Sequence, residues 1–120
     1  EHINDKGSVA IVYGMPTDPQ IMRVGLWRGD QLTPLPEMRS LAALNNLDEV
    51  LGQSTEGPAR AAMWRNGQMF DLTRELQAQG LLPSAALAYL GHSINDRGSV
   101  VLDVSDNNAY YTVRAAAKRP

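Results

Sequence analysis

The chain contains no cysteine, and its other absences are as informative. Without cysteine, the 120 residues can hold no disulfide, no thiolate zinc site and no cysteine nucleophile. The longest apolar runs are only a few residues, such as 9–12, too short for a helix that spans a bilayer. A formal net charge of -2 leaves no clustered positive excess for binding nucleic acid. These absences leave a globular chain of about one domain, residues 1–120.

A short turn motif recurs three times along the chain. It reads Ile-Asn-Asp-Lys-Gly-Ser-Val at 3–9, Leu-Asn-Asn-Leu-Asp-Glu-Val at 44–50 and Ile-Asn-Asp-Arg-Gly-Ser-Val at 94–100. Asn and Asp side chains bond their own backbone in turns, and Gly supplies the left-handed residue that follows. Asp48 takes the Gly position in the middle copy, so we expect a looser turn there.

A second motif centres on a tryptophan within an apolar segment. Trp27 and Trp64 occupy equivalent places in two copies, and a third copy is predicted at 109–114 with Val113 in the Trp position. Large aromatic side chains with apolar neighbours dominate protein cores. We therefore expect both tryptophans to be buried.

Together the two motifs predict a mainly β chain. The expected fold consists of antiparallel sheets from about two and a half repeats similar to propeller blades, with a period of roughly 40–50 residues. The repeat units are roughly 2–41, 42–91 and 92–115, within a single domain. A compact α+β fold is the alternative.

Local signals refine this prediction. Asn66-Gly67 is a strong signal for a two-residue hairpin turn. Residues 71–80 predict a short helix, with Asp71 or Thr73 as its cap and Gly80 as its stop. Residues 84–90 form either a second short helix or a strand that leads to the third turn.

Proline positions and the C-terminal residues complete the outline. The prolines are expected between strands, where the missing N–H group does no harm; they are Pro16, Pro19, Pro34, Pro36 and Pro58. Residues 115–120 are expected to form a solvated tail.

Residues with catalytic or metal-binding chemistry are few. Residues 91–93, Gly-His-Ser, resemble part of a nucleophile elbow, but Asn95 stands where that motif needs a second Gly, and the segment leads into a β turn. His2 and His92 precede equivalent turns, with no third metal ligand at a recognisable spacing. The acidic loop at 103–108 lacks the ligand spacing of a calcium loop. We predict no catalytic residue, no metal site and no cofactor.

Tyr110 and Tyr111 are the candidate binding residues. Neighbouring residues on a strand point to opposite faces of the sheet, so one of the two is expected to be exposed. An exposed tyrosine there would contact a protein or a surface glycan.

The repeats resemble the bacterial extracellular proteins called HAF repeats. The resemblance is carried by the turn and strand at 94–100 and by the Trp strand, Asn-Gly turn and Asp-Leu pair at 61–72. The longer linker from 71 to 94 also fits, and the similarity covers most of the chain. It implies propeller-like blades and export from the cell, and it implies no known activity.

Two hypotheses of function follow. The first is a non-enzymatic, exported bacterial repeat module that acts by surface contact in an extracytoplasmic location, and that becomes a surface antigen if the bacterium is a pathogen. The start at Glu1 fits removal of a secretory leader and fits experimental trimming equally well. The alternative function is a small hydrolase or a glycan-binding domain. A propeller closes with about four or more blades, and this chain supplies fewer than three. The chain is therefore a fragment of a larger propeller, or it associates with copies of itself, or its strands form a smaller sheet.

Overall fold

The computed structural model describes residues 1–15, 17–55 and 60–116. Within them, the strands form three antiparallel sheets, none of them closed, so the prediction of a mainly β chain is confirmed. The elements are β1 (His2–Ile3), β2 (Val9–Met15), β3 (Asp18–Arg28), β4 (Gln31–Leu35), β5 (Met38–Leu44), β6 (Val50–Ser54), β7 (Ala61–Arg65), β8 (Gln68–Asp71), α1 (Leu72–Ala78), β9 (Leu87–Ile94), β10 (Ser99–Asp106) and β11 (Ala109–Ala116).

Each sheet is built from consecutive strands of the chain. The first sheet has the order β1-β2-β3-β4, the middle sheet β5-β6-β7-β8, and the third sheet β11-β10-β9. The helix α1 lies in the connection between the middle and third sheets. Within the described residues, no helix is both long enough and apolar enough to cross a bilayer.

The three copies of the turn motif, at 3–9, 44–50 and 94–100, are called the Asn turns. They join the first two strands of every sheet in chain order. Gly7 and Gly98 both have φ of +84°, and Asp48 takes the same left-handed conformation with φ of 60°. The N–H of Asp48 reaches the carbonyl of Asn45 at 3.3 Å, whereas Gly7 and Gly98 close their turns at 3.1 Å. The middle turn is therefore slightly longer but keeps the pattern of the other two.

Other local predictions are also confirmed. Asn66 and Gly67 both have positive φ between β7 and β8, as a tight primed hairpin turn requires. Asp71 caps α1 by accepting hydrogen bonds from the N–H groups of Thr73 and Arg74. The helical alternative for residues 84–90 is wrong, because residues 87–90 belong to strand β9.

Two prolines lie inside strands, contrary to prediction. Pro19 belongs to β3, and Pro34 belongs to β4, which is the edge strand of its sheet. An edge strand tolerates proline because no neighbouring strand on its outer side needs a hydrogen bond from the missing backbone N–H group. Pro36 lies between β4 and β5 as predicted. The prediction of a solvated tail is wrong for residues 115 and 116, which belong to strand β11. Pro16, Pro58 and residues 117–120 lie outside the described residues.

The middle sheet lies between two apolar clusters. On one face, Val50 and Trp64 pack against core residues of the first sheet, namely Ala10, Val24, Leu26 and Leu35. On the other face, Leu51 and Met63 pack against α1 and the third sheet, through Leu72, Leu76, Val100, Leu102 and Val104. The middle sheet is therefore covered on both faces, and the two outer sheets are each covered on one.

The expectation that both tryptophans are buried is right for Trp64 and wrong for Trp27. Trp64 is 7% exposed, whereas Trp27 is 37% exposed. Trp27 is paired with Val9 just as Trp64 is paired with Val50. The face that holds Val50 and Trp64 is covered by the first sheet, but in the described structure no sheet covers the corresponding face with Val9 and Trp27.

The third copy of the tryptophan motif was placed two residues too early. Val9 and Val50 are paired with tryptophans, and the equivalent Val100 is paired with Ala115. Val113 is instead paired with Leu102. Ala115 therefore takes the Trp position in the third sheet.

Trp64→Ala should lower the free energy of unfolding much more than Trp27→Ala. Loss of the buried Trp64 side chain should cost about 3–5 kcal/mol of unfolding free energy. Loss of the exposed Trp27 side chain should cost less than about 1 kcal/mol. Denaturant unfolding of dilute protein, followed by circular dichroism, measures both. Equal losses would contradict the packing of the first and middle sheets.

Candidate functional site

The three Asn turns meet at one edge of the stacked sheets and are joined by their side-chain amides. Asn4 donates from Nδ2 to the carbonyl of Asn45 at 2.9 Å. Asn45 donates from Nδ2 to the carbonyl of Asn95, also at 2.9 Å. We call these three residues the amide ladder. One residue type at one turn position therefore links all three sheets.

The ladder is open at both ends. In the described part of the chain, the Nδ2 group of Asn95 has no acceptor, and the carbonyl of Asn4 accepts only from the N–H of Gly7, within its own turn. Asn45, which has a neighbour on either side, is 4% exposed, whereas Asn4 is half-buried and Asn95 is exposed. A donor is therefore left at one end and an acceptor at the other.

A second set of bonds draws the outer turns together. The backbone N–H of Asn46 donates to Asp96 at 2.8 Å, and that of Asp5 donates to the side chain of Asn46 at 2.7 Å. The Nδ2 group of Asn46 also lies 3.2 Å from an oxygen of Asp5 and 3.0 Å from an oxygen of Asp96. Stacked sheets lie about 10 Å apart, so parallel stacking would separate the first and third turns widely. Their shared contact with Asn46 shows that the three turns lie closer together at this edge than parallel stacking would allow.

The middle turn contains a buried ion pair that the sequence analysis missed. Arg65 Nε lies 2.6 Å from Glu49 Oε2, and both side chains are buried. Glu49 Oε1 accepts from Asn45 Nδ2, also at 2.6 Å, so the pair is tied to the amide ladder. The guanidinium also lies over the ring of Phe70. The available signal was Glu49 standing where the other two turns have Ser.

Tyr110 and Tyr111 fall on opposite faces of strand β11, as predicted. Tyr110 is 74% exposed and meets Tyr89 edge to face, with ring centroids 6.3 Å apart. Tyr111 is 37% exposed, so both tyrosines are exposed and not one alone. Tyr111 is paired with Val104, whose side chain belongs to the core between the middle and third sheets. Tyr110 therefore lies on the outward face of the third sheet.

A polar group occupies the same outward face. His92 Nε2 lies 2.8 Å from Asp103 Oδ2, and the hydroxyl of Thr112 donates to Asp103 Oδ1 at 2.9 Å. The hydrogen bond from His92, followed by that from Thr112, lowers the pKa of the Asp103 carboxyl below its ordinary value. The structure describes no hydrogen bond between Ser93 and His92, so these bonds hold a histidine and a carboxylate without joining them to the serine.

Two depressions on the surface of the described residues do not bring His92, Asp103 and Ser93 together. A depression of about 400 Å³ includes Ser93, Asn95 and Arg114 but neither His92 nor Asp103. Another, of about 220 Å³, lies between the middle sheet and α1 and is lined partly by Glu37, Asp71 and Arg74. Among the described residues, no group of three or more His, Asp or Glu side chains is arranged to hold a metal ion.

The open face of the first sheet carries the exposed tryptophan. We use this name for the face that holds Ile3, Val9, Tyr13, Trp27 and Leu32. A Cβ atom built on Gly25 would lie 2.7 Å from Leu32 and 3.0 Å from Tyr13, so these two side chains close over the glycine. Ile3 is 73% exposed and Trp27 is 37% exposed. These five side chains are apolar or aromatic, and the two most exposed of them lie at the end that adjoins the amide ladder; Arg23, paired with Tyr13, lies on the same face.

Removing one member of the buried ion pair should destabilise the protein strongly. Glu49→Ala and Arg65→Ala each leave a buried partner charge and should each cost about 3–5 kcal/mol. The double variant should lose clearly less than the two single losses combined. A double-mutant cycle from denaturant unfolding measures this, and strict additivity would contradict a direct pair.

Comparison with protein-family models, with curated proteins and with solved structures found no match for this chain.

Proposed function

We propose that this chain is a non-enzymatic, exported bacterial repeat module that acts by surface contact. The observation that carries the proposal is that, in the described structure, a face is left open at each end of the stacked sheets and each of these faces carries an exposed aromatic side chain. Trp27 lies on one open face and Tyr110 on the other, and large exposed aromatic side chains are enriched where proteins bind partners.

The repeat units of this proposal are blades similar to those of a propeller. Each sheet contains an Asn turn between its first two strands, and equivalent valines follow the turns at 9, 50 and 100. The closeness of the three Asn turns at the Asn46 contacts supports a radial arrangement of the sheets. Export, an extracytoplasmic location and exposure as an antigen rest on the resemblance to HAF repeats.

If the chain acts only by surface contact, Ser93 and His92 should make no contribution to the rate of ester hydrolysis. We expect the chain, Ser93→Ala and His92→Ala to hydrolyse a short nitrophenyl ester at the same rate as His2→Ala, which removes an exposed histidine before an equivalent turn. Initial rates measured by absorbance test this. The hydrolase alternative instead requires that Ser93→Ala and His92→Ala both lose activity while His2→Ala retains it.

Glycan contact is the second candidate, favoured by the exposure of Trp27. Sugar rings stack on exposed aromatic faces, so a bound oligosaccharide should change tryptophan fluorescence. Titration with soluble cello- and chito-oligosaccharides, with Trp27→Ala as the matched variant, assigns the contact. A saturable change that disappears in this variant would establish glycan contact at the open face of the first sheet. If the tryptophan fluorescence does not change during the titration, glycan contact is excluded for these sugars, and contact with a protein remains as the proposed function.

A further inference from the structure

We propose that a second copy of this chain covers both open ends, head to tail, so that two copies close a ring of six sheets. The inference rests on the proposed repeat module and names the partner that its two ends fit. In this ring the third sheet of each copy lies against the open face of the first sheet of the other.

The ends of the amide ladder are complementary to each other. Asn95 has an Nδ2 donor without an acceptor in the described structure, and Asn4 has a carbonyl whose equivalents in the other turns accept from a neighbouring Asn. Asn95 of one copy donating to Asn4 of the other would repeat the bond that Asn4 makes to Asn45 and Asn45 makes to Asn95. A second copy therefore satisfies both ends with a contact that the chain already uses twice.

The faces beside these ends correspond to faces that are covered elsewhere in the molecule. Val9 and Trp27 correspond to Val50 and Trp64, which are covered by the first sheet. On the third sheet, Val101, Tyr110 and the hydrogen-bonded pair of His92 with Asp103 lie on the outward face that corresponds to the packed faces of the other two sheets. Head-to-tail packing would place the third sheet of one copy where the first sheet lies against the middle sheet.

The closeness of the three Asn turns favours a ring over a filament. A head-to-tail contact between copies gives either a closed ring or an open fibre, according to the rotation it imposes. Asn46 contacts both Asp5 and Asp96, so the three turns lie close together at one edge, as turns near the axis of a ring of sheets would. Propellers close with about 4–8 sheets, and two copies supply six.

The test begins with the mass of the protein in solution. Sedimentation equilibrium over a range of concentrations should show reversible conversion from the 13.1 kDa chain to a species of twice that mass. A chain that stays monomeric at millimolar concentration would overturn the proposal. Open-ended growth into longer species would overturn the ring.

Asn95→Asp removes the ladder donor and spares the turn. The Oδ1 atom of Asn95 accepts from the N–H groups of Arg97 and Ser99, and an aspartate keeps both bonds. Loss of the donor at both contacts should raise the dissociation constant of the dimer at least tenfold. The matched control is Asn107→Asp, which adds the same charge beside another aspartate and should dimerise like the parent chain. Equal dimerisation of both variants would overturn the role of Asn95.

A mixing experiment separates head-to-tail pairing from pairing through one face. Trp27→Lys places a charge on the open face of the first sheet and should prevent contact there. Because Trp27 is exposed, circular dichroism should show an unchanged fold. Asn95→Asp and Trp27→Lys should each be largely monomeric alone, but together they keep one intact contact and should form mixed dimers. If Asn95→Asp dimerises like the parent and only Trp27→Lys fails, pairing through the first sheet replaces the proposal. Esterase and glycan results do not affect this readout, so its failure is distinct from failure of the proposed function.

Discussion

The structure depends on a side-chain amide at the first position of each Asn turn. An asparagine there has two tasks, and no other side chain of its size performs both. Its oxygen accepts backbone N–H groups of its own turn, as Asn45 does from Leu47 and Glu49. In the first two turns, its nitrogen also donates to the next turn along the stack. In these two turns, the residue that shapes the hairpin therefore also fixes the position of one sheet on the next.

The buried position of Asn45 explains the chemistry around it. A buried polar group costs free energy unless it is hydrogen-bonded, and Asn45 meets this requirement through its turn, through Asn95 and through Glu49. Glu49 is in turn neutralised by Arg65. The carboxylate of Asp48 accepts a hydrogen bond from Asn4 Nδ2 at 2.7 Å, which a glycine at this position could not do. In the middle unit, which has a sheet on both sides, Asp48 and Glu49 therefore make side-chain contacts that Gly and Ser at the equivalent positions do not make.

Features encoded within a few residues could be predicted from the sequence. The Asn turns, the hairpin at Asn66 and the capped helix after Asp71 depend on local backbone preferences, and all of them are present. Burial of Trp27 could not be predicted, because it depends on whether another sheet covers that face. The predicted place of Val113 opposite the turn valine is wrong, because the spacing of a motif does not determine how β10 pairs with β11. The ion pair of Glu49 with Arg65 joins two separate strands of the chain, and no local pattern identifies its partners.

The most direct test of the ladder compares Asn45→Ala with Asn95→Ala. Both variants lose the same two hydrogen bonds within their own turns. Only Asn45→Ala also loses a bond to the next turn and a bond to a buried carboxylate. In denaturant unfolding of protein dilute enough to be monomeric, Asn45→Ala should lose about 2 kcal/mol more than Asn95→Ala. Equal losses would contradict the claim that the amide ladder holds the three sheets together.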